Sequence, residues 1–122
     1  MDDFYYRKLN VYHLSKQLVA DVYRLLDLFP IKERQALSNQ IQRAVISVPS
    51  NIAEGMGRFS MKERIHFIEI AFGSLTEVMC QLEIAETLHY ITFEQLQEQE
   101  KKIKEIARML IGLKTNFEDK KQ

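Results

Sequence analysis

The sequence predicts an all-α fold: a single antiparallel, up-down-up-down four-helix bundle over residues 1–122. Three observations lead there. Apolar residues recur every three or four positions in four separate stretches, start and stop signals bound each stretch, and no alternating run competes as a strand.

The first helix is expected to start near Asn10, a good N-cap, and to run to Leu28, where Phe29-Pro30 stops it. Its inward face is Val11, Leu14, Leu18, Val22, Leu25 and Phe29. The second is expected from about Lys32 to Gly55 or Gly57, with Leu37, Ile41, Val45, Val48 and Ile52 on one face. Pro49 lacks an N–H and crowds the carbonyl four residues back, so a bend is expected there. Ser60 with Glu63 forms a capping box for the third helix, expected to reach about His89. Its inner seam is Ile68, Ala71, Phe72, Leu75, Val78, Met79, Leu82 and Ala85. Thr92 with Gln95 repeats the signal for the fourth helix, whose seam is Leu96, Gln99, Ile103, Ile106, Leu110, Leu113 and Phe117.

The third helix carries more apolar surface than one bundle core needs. A second seam, Ile70, Gly73, Glu77, Cys80 and Ile84, again has three–four spacing, and Ile46 and Ala53 do the same on the second helix. A helix that is apolar on two sides is buried on two sides. In a four-helix chain the second burial comes from another subunit, so these seven residues are the expected homo-oligomer interface. Glu77, charged within that seam, then needs a partner from a neighbouring subunit.

Composition narrows the function. The chain has 17 basic and 17 acidic residues, for a formal net charge of zero, which opposes a strong nonspecific hold on nucleic acid. The densest basic cluster is Lys101, Lys102, Lys104 and Arg108, the possible nucleic-acid contact. Glutamates stand among them, so pairs such as Glu98–Lys102 and Glu100–Lys104 are expected to absorb part of that charge. Every apolar run is broken by charges, so no membrane span is expected, and the single Cys80 fits a reduced, cytoplasmic setting. Phe4, Tyr5, Tyr6 and Tyr12 make an aromatic N-terminus, better suited to packing at a bundle end than to base stacking.

No catalytic constellation emerges. Glu63 with His66 and Glu86 with His89 have the Glu-x-x-His spacing of di-iron bundles, but both lie on one helix, about 35 Å apart along its axis. They cannot share a metal pair within a subunit, so neither a metal nor a cofactor is expected. No phosphate-cradling glycine loop or Ser/His/Asp arrangement is present. Cys80 has no histidine in helical register with it.

A polar line of Gln40, Ser47, Asn51, Glu54 and Arg58 flanks the apolar face of the second helix. Side chains at such a boundary are partly desolvated and must find hydrogen-bond partners, and Glu54 and Arg58 stand in the favourable order for an ion pair. This signature stripe belongs to the run SVPSNIAEGMGRFSMKE, Ser47 to Glu63, which closely resembles the signature of the 23S rRNA intervening-sequence proteins, the four-helix bundle protein family. The resemblance extends through Leu9 to Tyr12, Phe29-Pro30 with Glu33, Leu37, Gln40, Arg43-Ala44, then Phe67, Ala71 to Glu77, and Leu82 to Tyr90.

That resemblance implies a bacterial, non-enzymatic homo-oligomer, commonly a ring of five. A basic relative, the accessory variability determinant of diversity-generating retroelements, works with a reverse transcriptase and nucleic acid. RNA or a nucleic-acid-processing protein is therefore the expected partner beyond the chain itself. The alternative comes from a different class, a helical-bundle ribonuclease toxin of a toxin–antitoxin pair. Arg7 and His13 resemble its Arg-x(4–6)-His element, although here the element opens the first helix instead of standing late in the chain.

Overall fold

A computed structural model describes residues 3–121. Among these residues there are four α-helices and two short 3-10 turns, with no strand. The helices are α1 (Asn10–Leu26), α2 (Leu37–Met56), α3 (Met61–Thr87) and α4 (Phe93–Lys121); the turns, Tyr5–Lys8 and Ile31–Glu33, precede α1 and α2. Each helix packs on its sequence neighbours, and α4 also packs on α1, which closes the set around one core.

The ends of the helices follow local chemistry. Asn10 is the first helical residue of α1 and not its cap; extended Leu9 stands before it and packs against the core instead. At the other end the Leu28 and Phe29 N–H groups bond three residues back, to the carbonyls of Leu25 and Leu26. This tightening ends α1 at Leu26, short of the expected Leu28. Helix α2 starts at Leu37 and not near Lys32, because Ala36 sits outside the helical region at φ −126° and ψ −108°. The Glu33 carboxylate, one turn earlier, accepts the Leu37 N–H at 3.4 Å. Pro49 is buried and α2 continues through it to Met56.

Both expected capping boxes have hydrogen bonds in place. The Glu63 N–H donates to Ser60 Oγ at 3.0 Å. At α4 the pair is reciprocal: the Gln95 N–H donates to Thr92 Oγ1 at 3.1 Å, and the Thr92 N–H to Gln95 Oε1 at 2.8 Å. Helix α3 closes at Thr87, with His89 in the left-handed region at φ 63°. The His89 N–H reaches the Glu86 carbonyl and the Tyr90 N–H the Ala85 carbonyl, each at 2.9 Å, which is the Schellman arrangement.

The apolar seams read from the sequence meet in the core. Leu18, Val22, Ile41, Val45, Val48, Ile52, Val78, Leu82, Ile106 and Leu110 are all fully buried, each contributing about 1.5–3 kcal/mol by leaving water. Four polar residues are buried as well, Ser15, Ser38, Gln81 and Gln99. Ser15 is absorbed by a 2.7 Å bond from its Oγ to the Val11 carbonyl, whereas no donor among the described residues reaches Oε1 of Gln81 or Gln99. Gly55 is buried for a packing reason. A Cβ there would stand 2.7 Å from Phe67 Cβ, so α2 and α3 approach as closely as they do only because that atom is missing. Gly57, the C-cap of α2, has an ordinary φ of −84° and serves no left-handed turn.

The two connections at one end of the bundle are clasped together. Tyr90 Oη donates to Glu33 Oε2 at 2.6 Å, and the Phe29 and Tyr90 rings lie 5.2 Å apart. The bond from Tyr90 holds the Glu33 carboxyl below its ordinary 4.5. The same bond, with some burial, pushes the Tyr90 phenol above its ordinary 10.0.

Two outcomes follow from this packing. Gly55→Ala should destabilise by about 1–3 kcal/mol, the cost of overpacking. Gly112→Ala, where the added Cβ meets nothing within 4 Å, should stabilise by about 0.5–1 kcal/mol through helix propensity. Urea midpoints compare them, and equal effects would refute the close approach. The clasp predicts a pH profile. Glu33's share of stability is present above its ordinary 4.5 and is lost as pH falls through its lowered folded value. Tyr90's share is complete below 10.0 and is lost as pH rises through its raised folded value. Thermal midpoints across pH should therefore show both limbs, and Tyr90→Phe should flatten them together.

Candidate interaction surfaces

The polar stripe of α2 divides into parts with different neighbours. In its middle, the Asn51 amide donates to the Ser47 carbonyl and to Ser47 Oγ, both at 2.8 Å. Ser47 Oγ lies 2.8 Å from Ser74 Oγ on α3. Half-buried Ser47 and Asn51 are thus spent on the α2–α3 seam. One turn further on, the Arg58 guanidinium donates to Glu54 Oε1 at 3.0 Å and lies 4.8 Å from the centre of the Phe67 ring. Arg64 Nε donates to the Arg58 carbonyl at 2.8 Å, while the Arg64 guanidinium lies 5.6 Å from the Phe117 ring centre. Gln40 lines a recess with Arg43, Ser47, Ser74 and Glu77.

The residues grouped as an interface lie on two sides of the molecule. Ile70, Gly73, Glu77, Cys80 and Ile84 form an exposed strip along α3, with Ile70 37% and Ile84 43% accessible. A Cβ on Gly73 would meet nothing within 4 Å, so within one chain this glycine serves no close approach. Ile46 and Ala53 instead line a groove of about 620 Å³ between α1 and α2, with Tyr12, Lys16, Val19 and Tyr23 on the α1 side. The sequence carries a signal for this groove that the core pattern hides. Tyr12, Lys16, Val19 and Tyr23 recur at three–four spacing on α1, outside its buried seam.

The basic cluster of α4 is partly occupied. Lys102 Nζ is 2.6 Å from Asp21 Oδ2, so this lysine crosses to α1 instead of pairing with Glu98. Both side chains are half-buried at the α1–α4 seam, where Asp21 gathers two cations, Lys102 and Arg24, while Glu98 is exposed to water. Lys104 pairs with Glu100 at 3.0 Å as expected. Lys101 and Arg108 are exposed.

The remaining candidates have local structural roles. His13 Nε2 is 2.6 Å from the Arg7 carbonyl, and the Arg7 guanidinium lies 4.9 Å from the Phe4 ring centre. That contact runs from the His13 ring to the Arg7 backbone, at the turn before α1. Tyr6 packs edge-on against Tyr12 at 4.7 Å, and Lys16 Nζ lies 5.1 Å from the Tyr12 ring centre. Phe4 and Tyr5 are exposed. Of the Glu-x-x-His residues, Glu63 sits in the capped first turn of α3, His66 lies edge-on to Phe67, and His89 is the left-handed stop.

A family model described as 23S rRNA-intervening sequence protein matches residues 7–112. Comparison with curated proteins gives no match. Among solved structures, a protein with unknown function from the S23 ribosomal protein family of Bacteroides thetaiotaomicron VPI-5482 is similar, with a TM-score of 0.77 and 26% identity. The similarity covers 85% of this chain and 97% of that one.

The hydrogen bonds of the stripe give an ordered expectation. Asn51→Ala should cost about 1 kcal/mol, because it removes a half-buried amide holding Ser47 toward Ser74. Glu54→Ala should cost less than about 0.5 kcal/mol, since its ion pair with Arg58 is exposed. Denaturant midpoints in the reverse order would show that the stripe does not serve the α2–α3 seam.

Proposed function

Because this chain belongs to the 23S rRNA-intervening sequence protein family, we propose that it acts by binding, without catalysis, as a homo-oligomer of antiparallel four-helix bundles. Two cross-contacts support the antiparallel order of α2 and α3: Ser47 meets Ser74, and Gly55 faces Phe67, so one number rises as the other falls. The short connections of the bundle support the same order for the other pairs.

The observation that carries self-association is the exposed strip of α3. Isolated surface isoleucines are ordinary, but Ile70 and Ile84 stand on one line with Gly73 and Cys80, and that line is the only part of α3 outside the core with helical apolar spacing. A cyclic assembly of five in a bacterial cytoplasm is the form the family resemblance suggests. RNA or a nucleic-acid-processing protein is the partner suggested on the same ground. Asp21 and Glu100 engage two of the four cluster residues, so Lys101 and Arg108 carry what charge the patch offers, repeated once per subunit.

Light scattering on the purified chain at micromolar concentration tests this reading. The chain should be a stable oligomer, and Gly73→Glu should dissociate it by burying an unpaired charge at a cost of several kcal/mol. RNA added to the same sample should shift in a gel below about 50 mM salt and be released near about 200 mM. A monomeric mass for the unmutated chain would refute the assembly, and no shift at low salt would leave the chain itself as the only partner supported.

A further inference from the structure

The geometry points to a head-to-tail contact in which the α3 strip of one copy lies in the α1–α2 groove of the next. This rests on the self-association proposed above and specifies its faces. A strip that met the same strip on a second copy would set Glu77 near its own duplicate and leave the groove open. The groove supplies what the strip lacks. It is about 620 Å³ in volume, has Tyr12, Tyr23 and Ile46 as apolar walls and Ala53 in its lining, and carries one cation, Lys16. The strip is apolar at Ile84 and carries one anion, Glu77.

The spacing of the two rows agrees residue by residue. Tyr12, Lys16, Val19 and Tyr23 are separated by four, three and four positions, and so are Gly73, Glu77, Cys80 and Ile84. Set side by side, a large ring meets a glycine, an ammonium meets a carboxylate, valine meets cysteine, and tyrosine meets isoleucine. Gly73 has open space where a Cβ would stand, so the Tyr12 ring has room against the α3 backbone.

Level agrees as well. Lys16 lies ten residues before the end of α1 at Leu26, and Glu77 ten before the end of α3 at Thr87. Each is therefore about 15 Å from its helix end. In an up-down-up-down bundle those two ends lie on the same side. Copies related by rotation about an axis parallel to the helices then bring Glu77 to the height of Lys16 with no rise. A heterologous contact without rise closes into a ring when its rotation divides a full turn, whereas a rise produces a filament.

Two single-face variants test the pairing. Ile46→Glu spoils the groove and leaves the strip intact; Ile84→Glu spoils the strip and leaves the groove intact. Both positions are exposed in one chain, so circular dichroism should show unchanged helix content. Sedimentation should find each variant monomeric alone and a one-to-one heterodimer on mixing, since one intact groove then meets one intact strip. Lys16→Glu and Glu77→Lys should each weaken association roughly tenfold or more, and the double reversal should recover most of it. An oligomer that survives Ile46→Glu, a mixture that stays monomeric, or a double reversal no better than the single ones overturns this pairing while leaving self-association standing. A monomeric unmutated chain overturns both.

Discussion

The close approach of α2 and α3 is the constraint on which the rest of the molecule depends. A missing side chain at Gly55 lets the Phe67 Cβ stand where a second Cβ would collide at 2.7 Å. Two turns toward the middle of the bundle, Ser47 and Ser74 bridge the same seam at 2.8 Å, and small hydroxyls are what such a separation accommodates. Once these two helices are fixed, Phe67 is held beneath the Arg58 guanidinium and the Arg58 carbonyl is placed to accept from Arg64. Gly55, Ser47, Asn51 and the Glu54–Arg58 ion pair each have a packing or hydrogen-bonding contact on this seam or beside it.

Other seams are held by polar ties that cross from helix to helix. Lys102 and Asp21 join α4 to α1, Lys114 and Glu69 join α4 to α3 at 3.3 Å, and Tyr90 with Glu33 joins the two connections at one end. Exposed ion pairs contribute little, so the α3–α4 pair, whose side chains are 36% and 56% accessible, is chiefly a matter of register. The Lys102–Asp21 pair is different. At 24% and 18% accessibility each charge is partly desolvated; removing Asp21 would strand Lys102, whereas Asp21 keeps a second partner in Arg24. Burial of apolar seams thus supplies the driving force, while a few directional contacts select one arrangement of the four helices.

Periodicity and capping chemistry made the helices legible because both are local. The α3 and α4 starts at Ser60 and Thr92 follow from residues three apart, and the structure shows the bonds. Several misses were decided by a distant residue. At the start of α2, Glu33, which accepts the Leu37 N–H, is also held by Tyr90, 57 residues away, and no window of local sequence contains that contact. Lys102 turned from Glu98 to Asp21 for the same reason, 81 residues distant. Gly55 looked like a helix stop and is a packing residue; only the position of Phe67 tells the two apart. The candidate surfaces divide likewise. Exposure of the α3 strip was readable from its second seam, but the separation of Ile46 and Ala53 into an α1–α2 groove required the third dimension.

An exposed apolar strip is a liability unless something limits what it binds. A row of isoleucine, glycine and cysteine alone would accept many helices. Glu77 in its midst imposes a condition: its carboxylate accepts one bond from Gln81 Nε2 at 3.3 Å, and burying its charge against an uncharged surface costs more than burying it against a cation. Lys16 in an otherwise apolar groove imposes the converse condition. Each charge lowers the affinity of its own face for generic apolar partners and costs little only when the two faces meet. The neutral overall charge of the chain adds no long-range preference for any partner. In the head-to-tail contact proposed above, selectivity rests on short-range pairing of single charges within apolar contacts, a form of recognition that suits repeated copies of one chain better than a polyanion.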